Sequence, residues 1–268
     1  MNNSKKLKSK PKLMMHVVLG FPSLNESIEI AKTLARSGSA ILELQIPFTD
    51  PIADGPTIMN ACEVALKNGT TIKKCFEAIN LIKQDLLNEN IDIPIVIMSY
   101  YNPVFKFKYG KLTGIEAFSK QASNCGVDGL IIPDIPADNA SEDYWTIPLK
   151  YGVIPIPLVT PVTGLKRLKL ISKIANKEAF IYCVSSTGTT GAKKQLPSDL
   201  KKYIQNVKKY FKQPLAIGFG ISTKDQVNSL KGLADFAVVG SATINLISQY
   251  KGKSLHNKIS SFVKELSS

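Results

Sequence analysis

Two carboxylates, Glu43 and Asp54, lie eleven positions apart in the segment Glu43-Leu44-Gln45-Ile46-Pro47-Phe48-Thr49-Asp50-Pro51-Ile52-Ala53-Asp54-Gly55-Pro56-Thr57. Glu43 follows Ala40-Ile41-Leu42, an apolar run that reads as a buried parallel strand, and no Lys or Arg lies nearby in sequence to neutralise it. A lone buried carboxylate is costly, so such a group either has a raised pKa or is held for chemistry; a solvated loop acid is the plainer alternative. Asp54 falls in a loop punctuated by Pro and Gly, so one acid can stay fixed on a strand while the other arrives with a moving segment. That pairing suits general acid–base catalysis.

Elimination narrows the chemistry. The chain has two histidines, His16 in a first strand and His256 in a last helix, without the serine or cysteine motifs of a hydrolase triad around them. No H-x-x-x-H pattern or clustered ligand set occurs, so no metal site is expected. Proton transfer therefore falls to carboxylates, with Tyr182 a further candidate.

An anion site is suggested by Gly218-Phe219-Gly220-Ile221-Ser222 and by Gly240-Ser241-Ala242, each after a strand and ahead of a helix. Backbone amides and the positive ends of helices can hold a phosphate dianion there without a lysine. Either glycine motif alone reads as a turn; the two together favour phosphate. A long polar loop, Ser185-Ser186-Thr187-Gly188-Thr189-Thr190-Gly191-Ala192-Lys193-Lys194, is either a closing lid or plain surface.

The elements that must position these groups are eight strand-like runs, at about 14–19, 40–45, 93–99, 129–133, 153–158, 180–184, 214–218 and 236–239, with helical stretches between them. Ser23-Leu24-Asn25-Glu26 is a capping-box pattern opening a helix that buries Ile28, Ile30, Ala31, Leu34 and Ala35. A second helix runs from Thr71 to Leu87 with Ile72, Cys75, Phe76, Ile79 and Ile82 at helical spacing. Eight such units in about 250 residues predict a single-domain α/β fold, a (β/α)8 TIM barrel over 13–268 with a basic surface extension over 1–12; an open doubly wound sheet is the alternative. In a barrel, Glu43, Asp54, Asp134, Tyr100, Tyr101, Asn102, Thr187, Thr190, Gly220 and Ser241 all fall at the catalytic, C-terminal face. The strand runs hold no Lys or Arg, which argues against a Schiff-base aldolase and against a lysine general acid.

Composition sets outer limits. The chain has 268 residues, 44% of them apolar, which is enough for one large α/β domain. No stretch is long and apolar enough for a membrane span, and the basic start followed by Leu13-Met14-Met15-His16-Val17-Val18-Leu19 reads as a first strand rather than a signal peptide. The four cysteines, Cys62, Cys75, Cys125 and Cys183, show no paired spacing, which points to a reducing, cytoplasmic setting. A net charge of +13 attracts polyanions and anionic metabolites alike, but no nucleic-acid-binding signature is present, so no nucleic-acid partner is expected.

With the acid pair, the anion site and the polar loop in place, the chain resembles the tryptophan synthase alpha subunit over nearly its whole length apart from the Lys-rich start. The segment from Glu43 to Thr57, Tyr100-Tyr101-Asn102-Pro103, Pro133-Asp134-Ile135-Pro136, Thr187-Gly188-Thr189-Thr190-Gly191 and Gly218-Phe219-Gly220-Ile221-Ser222 carry the resemblance. It implies a lyase that splits indole-3-glycerol phosphate into indole and glyceraldehyde 3-phosphate by a retro-aldol step, with no cofactor on this chain. On the same grounds Glu43 is the general acid–base, Asp54 faces the indole ring NH, and Thr190 supports Asp54. Gly191, Gly220, Gly240 and Ser241 would hold the phosphate, while Ile58, Tyr100, Tyr182 and Phe219 would line the indole pocket. The implied partner is the pyridoxal-phosphate-dependent beta subunit of an alpha2-beta2 heterotetramer, met near Asp50 and Pro51. Three departures stand out: Gln45 where the family has Gly, His16 where it usually has an aromatic residue, and a longer stretch from Lys106 to Thr113. Gln45 shares a strand face with Glu43 and is placed to hydrogen-bond it. Other sugar-phosphate barrels, such as indole-3-glycerol phosphate synthase or phosphoribosylanthranilate isomerase, and a non-catalytic activating subunit remain as alternatives.

Overall fold

A computed structural model describes residues 9–136, 143–184, 199–218 and 220–268. The parallel strands are β1 (Lys12–Val18), β2 (Ile41–Gln45), β3 (Ile95–Met98), β6 (Gly129–Ile131), β7 (Ile154–Pro155), β8 (Leu158–Val159), β9 (Ile181–Val184), β10 (Leu215–Gly218) and β11 (Phe236–Val239). They form one sheet in the order β7-β6-β3-β2-β1-β11-β10-β9-β8. The single strand expected over 153–158 is therefore two short pieces, β7 and β8, at opposite ends of this order.

Proline explains the break. The Ile154 and Ile156 amides donate to the carbonyls of Asp128 and Leu130 on the β6 side, whereas the residues alternating with them, Pro155 and Pro157, have no N–H to offer the β9 side. Pairing with β9 resumes where Tyr182 N donates to Pro157 O, and Leu158 and Val159 then align with Tyr182 and Cys183. Because the two ends of the sheet are neighbouring stretches of one strand, the sheet closes on itself as a (β/α)8 barrel, and the open doubly wound alternative is set aside.

Alternation within the strands sorts side chains into two layers. Met14, Ile41, Val96, Met98, Ile131, Ile156, Ala216 and Val238 pack together inside the barrel. Their neighbours Leu13, Met15, Leu42, Leu44, Ile95, Ile97, Ile217 and Val239 pack outward against helices. His16, Glu43 and Gln45 have the parity of Met14 and Ile41, so they face inward near the C-terminal ends of β1 and β2.

The outer ring comprises α1 (Leu24–Arg36), α2 (Pro56–Lys67), α3 (Ile72–Asn88), α4 (Tyr101–Lys106), α5 (Gly114–Asn124), α6 (Leu165–Ile174), α7 (Leu200–Lys208), α8 (Lys224–Ser229), α9 (Ser241–Gln249) and α10 (Gly252–Ser267). On α1, the Ser23 hydroxyl accepts from Glu26 N at 3.2 Å and all five expected core positions are buried. The reciprocal half of the capping pattern is replaced: the Glu26 carboxylate lies 3.3 Å from His256 Nε2 on α10. Thr71 caps α3, whose Cys75, Phe76, Ile79 and Ile82 are buried and Ile72 partly so. Helix α2 is additional to the expected elements; it opens with Gly55 as N-cap and Pro56 in its first turn. The long stretch from Lys106 to Thr113 holds a hairpin of β4 (Lys108–Tyr109) and β5 (Leu112–Thr113), with Gly110 at φ 60° in its turn. At the opposite face of the barrel, Asp128 and Asp235 accept the leading amides of β3 and β10 at 2.8 and 2.9 Å, so these acids serve the sheet.

Candidate active site

Register places Glu43 on β2 directly beside His16 on β1. Glu43 is 2% exposed, and His16 Nδ1 stands 3.4 Å from its Oε1. From across the barrel, the Tyr182 hydroxyl donates to Glu43 Oε2 at 3.3 Å. The expectation of an unaccompanied carboxylate is thus corrected: its partner is a histidine from the neighbouring strand, invisible to a search for nearby Lys or Arg. Burial, the largest single influence, opposes protonation of His16, but the Glu43 charge, the Glu43 hydrogen bond, Asp54 and Gln45 together outweigh it, and the imidazole pKa is raised.

Asp54 is held in a turn in which its amide donates to Pro51 O at 2.9 Å, two residues ahead of α2. Only 7% exposed, it accepts on Oδ2 from Gln45 Nε2 at 2.7 Å and from the Tyr100 hydroxyl at 2.9 Å. Tyr100 in turn accepts from Ala53 N at 3.0 Å, tying the loop to β3. Burial pushes the Asp54 carboxyl up; the Gln45 and Tyr100 hydrogen bonds and the His16 charge oppose that push without cancelling it. Two expectations change here. Gln45 bonds Asp54 rather than Glu43, because its side chain reaches past the end of β2 toward the loop. Tyr100 is fully buried, stacked 5.4 Å from Phe48, and holds Asp54 from behind rather than lining the cavity.

The cavity at the C-terminal mouth is lined by Glu43, Asp54, Ile58, Tyr182, Gly220, Gly240 and Ser241 from the expected set. His16, Ala53, Met98, Ile131, Pro133, Leu158, Val184, Gly218 and Val238 complete its described wall. Carboxylates stand on one side and the glycine-rich strand ends on another. Of the two helices proposed for the anion, α8 uses its own amides: Gln226 Oε1 accepts from Ser222 N at 2.7 Å and Thr223 N at 3.1 Å. Helix α9 begins at Ser241 after Gly240 with no side-chain cap, so its first-turn amides are the ones left for a ligand. Gly218 makes room for the Tyr182 ring, since a Cβ there would come within 3.1 Å of it. Asp134 leaves the candidate acids: both its oxygens accept from Tyr101 N, at 2.9 and 3.0 Å, at the start of α4.

Comparisons with known proteins identify the family. The family profile for the tryptophan synthase alpha chain matches residues 2–267. The tryptophan synthase alpha chain of Petrotoga mobilis is 42% identical over 266 residues, covering 98% of this chain and 97% of that one. The chain belongs to the tryptophan synthase alpha family. A second member, from Aquifex aeolicus, is 38% identical over 262 residues, covering 97% of this chain and 94% of its own. Among solved structures, the Pyrococcus furiosus tryptophan synthase a2b2 complex, described as a case of mutual activation, matches with a TM-score of 0.83 and 32% identity, covering 95% of this chain and 97% of that one.

Relative to the rest of the tryptophan synthase alpha motifs, Thr190, Gly191 and Phe219, with the polar loop that carries the first two, lie outside the described residues. Residues 1–8 of the basic start do as well. The sequence reading missed His16 as a partner of Glu43. Strand alternation held the signal: counting in steps of two from Met14 turns His16 inward, and an inward histidine beside an inward glutamate meets it across the strand pair.

Proposed function

We propose that this chain cleaves indole-3-glycerol phosphate to indole and D-glyceraldehyde 3-phosphate, the carbon–carbon lyase step of tryptophan synthesis. The observation that carries the reading is a buried carboxylate, Glu43, set in one cavity with the uncapped start of α9 at Gly240–Ser241. Glu43 takes the proton from the glycerol hydroxyl as the aldehyde forms and supplies the proton at indole C3 that turns the ring into a leaving group. Asp54, held by Gln45 and Tyr100, accepts the ring N–H and stabilises the positive charge that develops there. The α9 amides with Gly220 hold the phosphate, and Ile58 and Tyr182 flank the ring. By resemblance Thr190, Gly191 and Phe219 complete the set.

Neither metal nor organic cofactor enters this chemistry. The indole passes to a beta subunit, which carries the pyridoxal phosphate, in an alpha2-beta2 complex; the exposed Asp50 and Ile52 beside the buried Pro51 suit that contact. Four unpaired, buried cysteines support a cytoplasmic location. The deciding experiment is indole release from indole-3-glycerol phosphate by the purified chain, alone and with a beta subunit. We expect release that Glu43→Gln reduces by about 10²- to 10⁴-fold. No release in either setting, or full activity in Glu43→Gln, would overturn the reading.

A further inference from the structure

Gln45 Nε2 donates to Asp54 Oδ2 at 2.7 Å and lies 3.6 Å from Cys62 Sγ, which fixes the orientation of the amide. Turned the other way, its oxygen would oppose a carboxylate oxygen. The Gln45 Oε1 atom is left buried without a hydrogen-bond partner. His16 is in the matching position. Its Nδ1 faces Glu43, and its Nε2 is buried without a hydrogen-bond partner. The ring nitrogen and the amide oxygen are both orphaned on inward positions of the neighbouring strands β1 and β2 and are complementary, one a donor when protonated and the other an acceptor, and Gln45 is among the groups that raise the imidazole pKa.

We propose that His16 and Gln45 form a polar relay between the two carboxylates: the imidazolium donates to Glu43 through Nδ1 and to Gln45 Oε1 through Nε2, and the Gln45 amide donates to Asp54. The proposal rests on the lyase reading for its kinetic consequence and on geometry alone for the relay. His16 and Gln45 are positioning residues: one shared positive charge orients both acids before substrate arrives. The groups facing the imidazole are Glu43 and Gln45 from β2, Asp54 from the loop ahead of α2, Tyr182 from β9 and the Gly240–Ser241 end of α9; no Lys or Arg is among the described cavity residues. The raised imidazole pKa, to which Glu43, Asp54 and Gln45 all contribute, agrees with a doubly donating cation.

With only two histidines in the chain, NMR titration reads His16 directly, and His256→Gln removes the other signal. Asp54→Asn should lower the His16 proton affinity by roughly threefold or more, and most of that effect should vanish in a Gln45→Ala background. An Asp54→Asn effect of equal size with and without Gln45 would show simple through-space attraction and overturn the relay. For indole release, His16→Phe and Gln45→Ala should each shift the pH profile of kcat, and the double variant should lose no more than the larger single loss. Fully additive losses would again overturn it. Should the chain release no indole at all, the lyase reading falls while the titration still decides the relay.

Discussion

The Tyr182 hydroxyl donates to Glu43 Oε2 at 3.3 Å from a strand 139 residues further along the chain. Burial and then the Glu43 charge hold the phenol well above its ordinary pKa, so it remains a donor throughout the working pH range. One carboxylate oxygen thus faces a neutral donor and the other faces His16. Such a glutamate is held in place from two sides.

Gly218 controls that contact. A methyl group there would sit 3.1 Å from the Tyr182 ring and 3.4 Å from its hydroxyl oxygen, so the ring must shift. We expect Gly218→Ala to lower kcat for indole release by about tenfold while leaving thermal stability within about 1.5 kcal/mol of the parent. Steady-state kinetics beside a melting curve checks this; an unchanged kcat refutes it.

Tyr100 ties Asp54 and Ala53 to the barrel. Removing its hydroxyl in Tyr100→Phe leaves the buried Asp54 carboxylate one donor short and the Ala53 amide without its acceptor. The expected cost is about 1–3 kcal/mol in unfolding free energy, together with a fall in kcat as the loop loosens. Denaturant unfolding measures the first and indole release the second. Unaltered stability would mean that solvent replaces both bonds.

The His16–Glu43 pair makes stability depend on pH in a fixed direction. Because the folded protein binds the imidazole proton more tightly than the unfolded chain does, the pair's contribution is complete below about pH 6.5. It disappears as pH rises through the higher native value. The difference in thermal stability between the parent and His16→Phe should therefore shrink from mildly acidic to alkaline pH. A difference that is constant with pH would contradict the pairing.

The thiols should be inert in the folded state. All four cysteines are buried, and burial pushes Cys62 and Cys183 up to about 12. Alkylation by a maleimide should await denaturant, and rapid labelling of the native chain would show that the core around α2 or β9 opens readily.

The strands, the first and third helices and the cavity's glycine ends were legible because each has a local cause: apolar runs, caps at Ser23 and Thr71, and glycine between a strand and a helix. Glu43, Asp54, Ile58, Tyr182, Gly220, Gly240 and Ser241 do share one cavity. What sequence could not show is who faces whom. Gln45 chooses Asp54, Tyr100 works from behind, and His16 meets Glu43 through a strand register that closes only when the sheet curls. The fifth strand reads as continuous because its composition is apolar; two missing amide donors divide it.

That division has a further effect. Since β7 and β8 are the terminal members of the main sheet and are joined by two residues of chain, that sheet, among the described residues, keeps no free margin on which a stranger's backbone could add itself. A newly made chain is vulnerable to sticking only until residues 154–159 bridge their two neighbours, so resistance to aggregation should appear at the moment of closure rather than build up strand by strand.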